Sequence, residues 1–202
     1  MILTRTRLGA ITALTGASLV LTGCGPTLAG SAAVVGTARI TDGTVSQQVD
    51  ELLAAKPTGD TAKVTQDTVR RLVIDELVRQ EAARLGVVVS QGAVDKALAT
   101  ALANSGGAAA LASAAVSSGI PPSQINYEIT TSLLVTACAT HLAPAQNQTQ
   151  QQSALVQDVT KLATELDTRV SPRYGVWDPK SLALNPPADP FLVANGNSAT
   201  GG

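Results

Sequence analysis

The chain has 202 residues, with 14 Lys and Arg against 15 Asp and Glu, a single histidine and two cysteines. A net charge of −1 lacks the basic footprint of a nucleic-acid binder, and one histidine with two cysteines offers no cluster at metal-ligand spacing. With one Trp, two Tyr and one Phe, the core must be built from Leu, Val, Ile and Ala, which bury little area each and give modest stability per residue.

The N-terminus opens on Arg5 and Arg7, followed by an apolar, uncharged run from Leu8 to Leu21. That run has the length of a signal-peptide core and is too short for an ordinary membrane span. Leu21-Thr22-Gly23-Cys24 comes next. It resembles the bacterial lipoprotein box, in which a small residue precedes an invariant cysteine. The resemblance implies cleavage between Gly23 and Cys24, a diacylglyceryl group on the Cys24 thiol, and a further acyl chain of the palmitate kind on the new N-terminus. Each buried CH2 contributes about 0.8 kcal/mol, so one chain holds a protein reversibly and two or three hold it stably. The expectation is a lipid-anchored protein of the cell membrane facing the extracytoplasmic envelope. Residues 1–23 are its signal peptide and residues 24–32, rich in Gly, Ser and Ala, its flexible linker.

The body starts with Ala33 to Ile40, whose β-branched residues predict a strand with a bend or bulge at Gly36. Thr41 or Asp42 caps a helix carrying Val45, Val49, Leu52 and Leu53 on one face, ended by Lys56-Pro57-Thr58-Gly59. A long helix from Thr61 to Leu85 has the stripe Val69, Leu72, Val73 and Leu77, with Ala83 as a candidate further member. Arg70, Arg71, Glu76, Arg79 and Glu81 fall outside the stripe, and Gly86 is the stop. After the extended Val87-Val88-Val89, Ser90 caps a helix with Val94, Leu98 and Leu102 four apart, broken at Asn104-Ser105-Gly106-Gly107. An alanine-rich helix over 108–118 closes at Gly119. Pro121-Pro122 then opens a helix with Ile125, Ile129, Leu133, Leu134 and Ala137, reaching Leu142. The Gln- and Asn-rich stretch 143–152 is a loop or the frayed start of a helix with Leu155, Val159, Leu162 and Leu166. Residues 169–179 are extended, with two prolines, and residues 180–202 read as a disordered tail.

Two extended segments thus stand at opposite ends of a helical series. A lone strand leaves its backbone groups unpaired, so the two ends are expected to pair with each other. The fold class is mainly α, with one short strand pair formed by the N- and C-terminal segments, over residues 33–179. Tyr174 and Trp177 become structural anchors against the helices, the largest buried side chains of the core; the alternative leaves them exposed as a partner-binding patch.

Several stretches then carry a family resemblance. Val35-Gly36-x-x-x-Ile40-Thr41, Val69-x-x-Leu72-Val73-x-x-Glu76-Leu77, and Ala83-x-Leu85-Gly86-Val87-x-Val89-Ser90 with Val94 look like the N-terminal domain of SurA-type periplasmic chaperones. Gly119-Ile120-Pro121-Pro122 before a helix ending in Leu133-Leu134 fits the same pattern, and Val170 to Asp178 resembles the closing segment of related envelope foldases. The resemblance spans residues 33–179 and lies in the order of degenerate motifs. It implies a helical, chaperone-like domain that shelters unfolded segments. The parvulin isomerase domain of catalytic relatives has no counterpart here, so no catalytic residue is carried over.

The chemistry of single residues points the same way. His141 is the sole histidine base, and no serine sits in G-x-S-x-G. At a helix C-terminus its partial positive charge suits the helix dipole. Cys138, left alone if Cys24 is lipidated, lies in an apolar helical run and reads as a small buried hydrophobe, although His141 is three residues away. Asp75-Glu76 reads as a pair of helix-surface charges. No catalytic, cofactor or metal site is expected. The expected function is an anchored binding module for unfolded or apolar segments of secreted proteins, its face built by the stripes at 69–77, 94–102 and 125–137 unless these bury one another. The alternative is an accessory or structural lipoprotein with one dedicated envelope partner or a lipid.

Overall fold

The computed structural model describes residues 28–56 and 60–187. The expected signal peptide, Gly23, Cys24 and the linker as far as residue 27 lie outside these. β1 (Ser31–Val35) and β2 (Ala38–Thr41) form an antiparallel hairpin, with Val35 opposite Ala38. The one strand expected over 33–40 is therefore two, and of the bend or bulge expected at Gly36 it is the bend that forms, as the hairpin turn. Its φ of +58° is left-handed, its N–H donates to the Leu166 carbonyl, and a Cβ there would come within 3.2 Å of the Leu166 side chain. Ser31 and Ala32, expected in the linker, are buried in β1. The reason is topological: β1 is the central strand, between β2 and β3 (Arg169–Val170), and the long helix packs on it.

Helix ends follow local chemistry. α1 (Asp42–Ala55) is capped by Thr41, whose hydroxyl accepts from the Thr44 amide. α2 (Thr61–Leu85) starts where Asp60 accepts from the Ala62 and Lys63 amides, and ends at the left-handed Gly86. α3 (Gln91–Ser105) is capped by Ser90 and closed by Gly106. α4 (Ala108–Ser117) follows, then a 3-10 turn over Pro122–Gln124 that leads into α5 (Ile125–Leu142). The polar stretch after α5 resolves into a short connection and a capping box, in which Asn147 and Gln150 satisfy each other's amides at the start of α6 (Gln148–Glu165).

The architecture is mainly helical with small antiparallel sheets. α2 is its axis, packed on α1, α5, α6 and β1. Val69, Val73 and Leu77 of α2 are wholly buried and meet Val45 and Val49 of α1, Leu155, Val159 and Leu162 of α6, and β1. Each such side chain contributes roughly 1.5–3 kcal/mol.

The two ends pair as expected, Ala33 with Val170 and Val34 with Arg169. Beyond that the C-terminal segment departs from expectation. β4 (Val176–Asp178), which carries Trp177, pairs with β5 (Ala183–Asn185) instead of the N-terminus. Leu184 is buried against the core, so the chain is folded through Asn185 and the expected tail does not begin at 180. Gly175, just before β4, makes this close approach to β5 possible: a Cβ there would lie 2.3 Å from the Asn185 carbonyl oxygen. Tyr174 and Trp177 pack against the core only half-buried, so they are not its largest buried side chains; Leu77 and Glu81 are. Short sheets with one face open leave rings at their edge partly wet.

Candidate functional site

The three apolar stripes proposed as a binding face have different fates. Val69, Leu72, Val73 and Leu77 are buried in the core, whereas Ala83, the candidate further member of that stripe, is exposed. The other two are left incomplete. In α3 only Val94 is buried and in α4 only Ala115, and neither joins the main core cluster. Leu98 and Leu102 of α3, Leu111 and Val116 of α4, and Ile125 and Ile129 of α5 all remain half-buried. The cause is composition. Between these leucines stand mostly Ala and Ser, too small to fill the space between helices, so α3 and α4 pack on each other, and α3 on α5, without closing over their own apolar side chains. They form a thin arm on a well-filled body.

Beside the arm lies a cleft of about 690 Å³, bounded by the end of α1, the first half of α2 and the end of α4. Leu52, Val64, Ile74 and Val116 give it an apolar wall. Thr68, Arg71 and Asp75 stand on its α2 side, and Lys63 with Asp67 form an exposed ion pair at 2.6 Å on the rim. Arg71 is shared: its Nη1 donates to Glu128 of α5 and, at 3.5 Å, to Asp75, while Nη2 donates to Gln48 of α1. One guanidinium therefore ties three helices together. Asp75 is buried, and this burial, with the carboxylate of Glu128 beside it, pushes its carboxyl up to about 7 against the pull of Arg71. The surface-charge reading of Asp75 is thus overturned, while Glu76 keeps a partly exposed pair with Arg79.

A second ionic cluster joins α2 to α6. Glu81, expected outside the stripe, is fully buried and held by two hydrogen bonds from Arg84, at 2.8 and 2.7 Å; Arg84 also pairs with Asp158. Burial raises the Glu81 carboxyl from its ordinary value in spite of Arg84. Cys138 lies fully buried, its thiol pushed up by burial and by the nearby Glu81, as suits an inert hydrophobe. A third cluster pins the C-terminal segment: Arg173 pairs with Asp42, and the Tyr174 hydroxyl donates to the same carboxylate at 3.0 Å.

The signal for these buried charges was in the spacing. Val69, Val73, Leu77 and Glu81 follow one another at steps of four, and Thr68, Leu72 and Asp75 at steps of four and three, so periodicity placed them on buried faces while their chemistry argued for solvent.

His141 is exposed in the last turn of α5 and lines a shallow groove of about 730 Å³ with Leu133 and the Val87–Val89 segment, of which Val88 is almost fully exposed. Cys138, three residues before it in α5, is fully buried while His141 is exposed. Among the described residues no group of three or more His, Cys, Asp or Glu could hold a metal ion, and no helix is long and apolar enough to cross a membrane. Compared with family models, curated proteins and solved structures, the chain gives no match.

Proposed function

We propose that the chain is a non-catalytic binding module of the cell envelope, anchored by lipid on Cys24, that shelters unfolded or apolar segments of secreted proteins against its arm. The observation that carries this reading is the contrast between stripes. The body fills its core without α3 and α4, and these two helices hold Leu98, Leu102, Leu111 and Val116 only half-covered. Apolar side chains left half-wet on a solvent-facing arm gain free energy when an apolar segment covers them, at roughly 25 cal/mol per Å². The resemblance to SurA-type chaperones supports the same reading, as does the lipoprotein box for the anchor.

The test is suppression of aggregation of two unrelated unfolded proteins by the full chain. Both are protected on this reading, and replacing Leu102 and Leu111 together by Ser abolishes the protection. Recovery of one stoichiometric membrane partner, with no effect on unfolded proteins, would favour the dedicated-partner alternative. The anchor is tested separately: Cys24→Ser releases the protein from the membrane fraction, and continued sedimentation with membranes would remove the lipid from the account.

A further inference from the structure

We infer that Asp75 of α2 and Glu128 of α5, facing one guanidinium, form a proton-operated latch between body and arm. With a proton between them the first half of α5 stays on α2; without it, that half moves off with α3 and α4 and the cleft widens. The inference concerns how the two parts are joined and stands apart from what the arm binds.

The joint is polar, unlike the core. α3 packs on α4 and α5, and α4 on the turn that leads into α5, so α5 carries the arm. The second half of α5 is fixed by Cys138 and Ala139 in the core, but from Ile125 to Thr130 no residue is buried. Three polar contacts tie this first half to the body. Ser123, in the turn, donates from its amide and its hydroxyl to Glu51 of α1, at 2.8 and 2.6 Å. The Arg79 guanidinium lies 5.8 Å from the centre of the Tyr127 ring. Arg71 Nη1 donates to Glu128 and, at 3.5 Å, to Asp75.

The third contact sets one positive charge against two carboxyl groups. The side chains of Arg71, Asp75 and Glu128 are 15%, 8% and 16% exposed, so water screens them little. The two carboxyl groups lie within hydrogen-bond reach of each other. While Asp75 keeps its proton it donates to Glu128, and Glu128 with Arg71 is a balanced pair. When that proton leaves to water through the cleft, which Asp75 lines, Asp75 competes for Arg71 on its own helix and repels Glu128 across the interface. The repulsion therefore acts between α2 and α5, the two helices that the latch joins. Of the other groups around Asp75, Arg79 of α2 is paired with Glu76 and faces Tyr127, and α1 presents the uncharged Gln48. The α4 wall of the cleft, Val116 to Gly119, carries no charge. Lys56, Asp60, Lys63, Asp67 and Arg70 line the same cleft, where Lys63 is paired with Asp67 and Arg70 donates to the Leu182 carbonyl.

With the arm docked, the Asp75 carboxyl is raised from 3.8 to about 7, and release into water returns it to its ordinary value. Between these two values the released form holds fewer protons, so the ratio of released to docked arms rises by about tenfold per pH unit. Above about 7 both forms are ionised and the ratio levels off.

The test is a distance. Spin labels on Ser113→Cys of α4 and Lys63→Cys of α2 are placed in the full chain carrying Cys24→Ser, where the wholly buried Cys138 takes no label, and read by double electron–electron resonance. From about pH 5.5 to about pH 8 a longer-distance population grows relative to the shorter one by roughly thirtyfold. A second pair within the body, Lys63→Cys and Lys161→Cys, keeps its distance throughout. Asp75→Asn stays docked at both pH values, and Glu128→Gln loses the pH dependence. An arm distance that does not change with pH overturns the latch. So does equal loosening of the body pair, which would make the titration a property of the whole fold, or a pH dependence that survives in Asp75→Asn.

Discussion

The body and the arm are built from the same residue types and end in opposite states. Around α2, valines and leucines stand four apart on one face and meet equal partners on α1, α6 and β1, so they vanish from solvent. On α3 and α4 the same spacing meets alanine, and the leucines stay half-wet. Apolar periodicity therefore predicts which way a helix faces, but the volume of the opposing residues decides whether that face closes. Here the difference separates the part that holds the fold from the part available to a partner.

Four measurements would break or sharpen this contrast. The largest effect is expected at Leu77, wholly buried in the body: Leu77→Ala loses about 4 kcal/mol of unfolding free energy, read from urea titration. A loss below 1 kcal/mol would mean that the body is as loose as the arm. Next is Asp75. Its carboxyl is raised from 3.8 in the folded protein to about 7, with Arg71 of α2, Gln48 of α1, and Tyr127 and Glu128 of α5 around or near it. Below about pH 4 both folded and unfolded chains carry the proton and no penalty arises. Between about pH 4 and 7 the unfolded chain ionises first, so stability falls as pH rises, then levels off. Asp75→Asn should flatten that slope and exceed the wild type above pH 7 by on the order of 3 kcal/mol. An unchanged slope would place the titration elsewhere.

A smaller effect follows from the C-terminal sheet. Ending the chain after Lys180 removes β5 and the buried Leu184, and the expected cost is about 2 kcal/mol in the same urea titration. Equal midpoints for the two lengths would restore the disordered-tail reading. The smallest effect is expected on the arm, where Leu102→Ala changes stability by less than about 1 kcal/mol. A loss as large as that at Leu77 would show the arm to be part of the core and would remove the surface on which the proposed function depends.

Local chemistry was legible throughout the helical series. Thr41, Ser90, Gly86 and Gly106 mark helix ends by side-chain oxygens or by left-handed backbone, and each acts within a few residues of itself. The pairing of the two chain ends was legible as well, because an unpaired strand has nowhere else to satisfy its backbone. The β1–β2 hairpin was read as one strand because Gly36 fits a bulge and a turn equally well; what selects the turn is Leu166, 130 residues away, which accepts from the Gly36 amide. β5 was missed because Ser, Asn and Pro around Leu184 look like a tail, and only the facing β4 gives that leucine a place to be buried.

Of the candidate site, sequence supplied the half-exposed leucines by their spacing and nothing of the polar floor. Thr68 looks like any helical threonine until its hydroxyl is seen to lack a partner, and Asp75 and Glu81 look like surface charges until Arg71 and Arg84 are seen beside them.

Sequence alone determined where helices begin and stop, which of their faces are apolar, that the core would be poor in aromatic rings, and that a lipoprotein-like box stands at Cys24. These are properties of neighbours in the chain, or of composition. Only the tertiary structure decided which apolar faces close, which charges are buried in pairs, and which buried hydroxyl is left without a partner. Those depend on side chains far apart in sequence competing for the same space and the same hydrogen bonds, and no local pattern encodes the outcome.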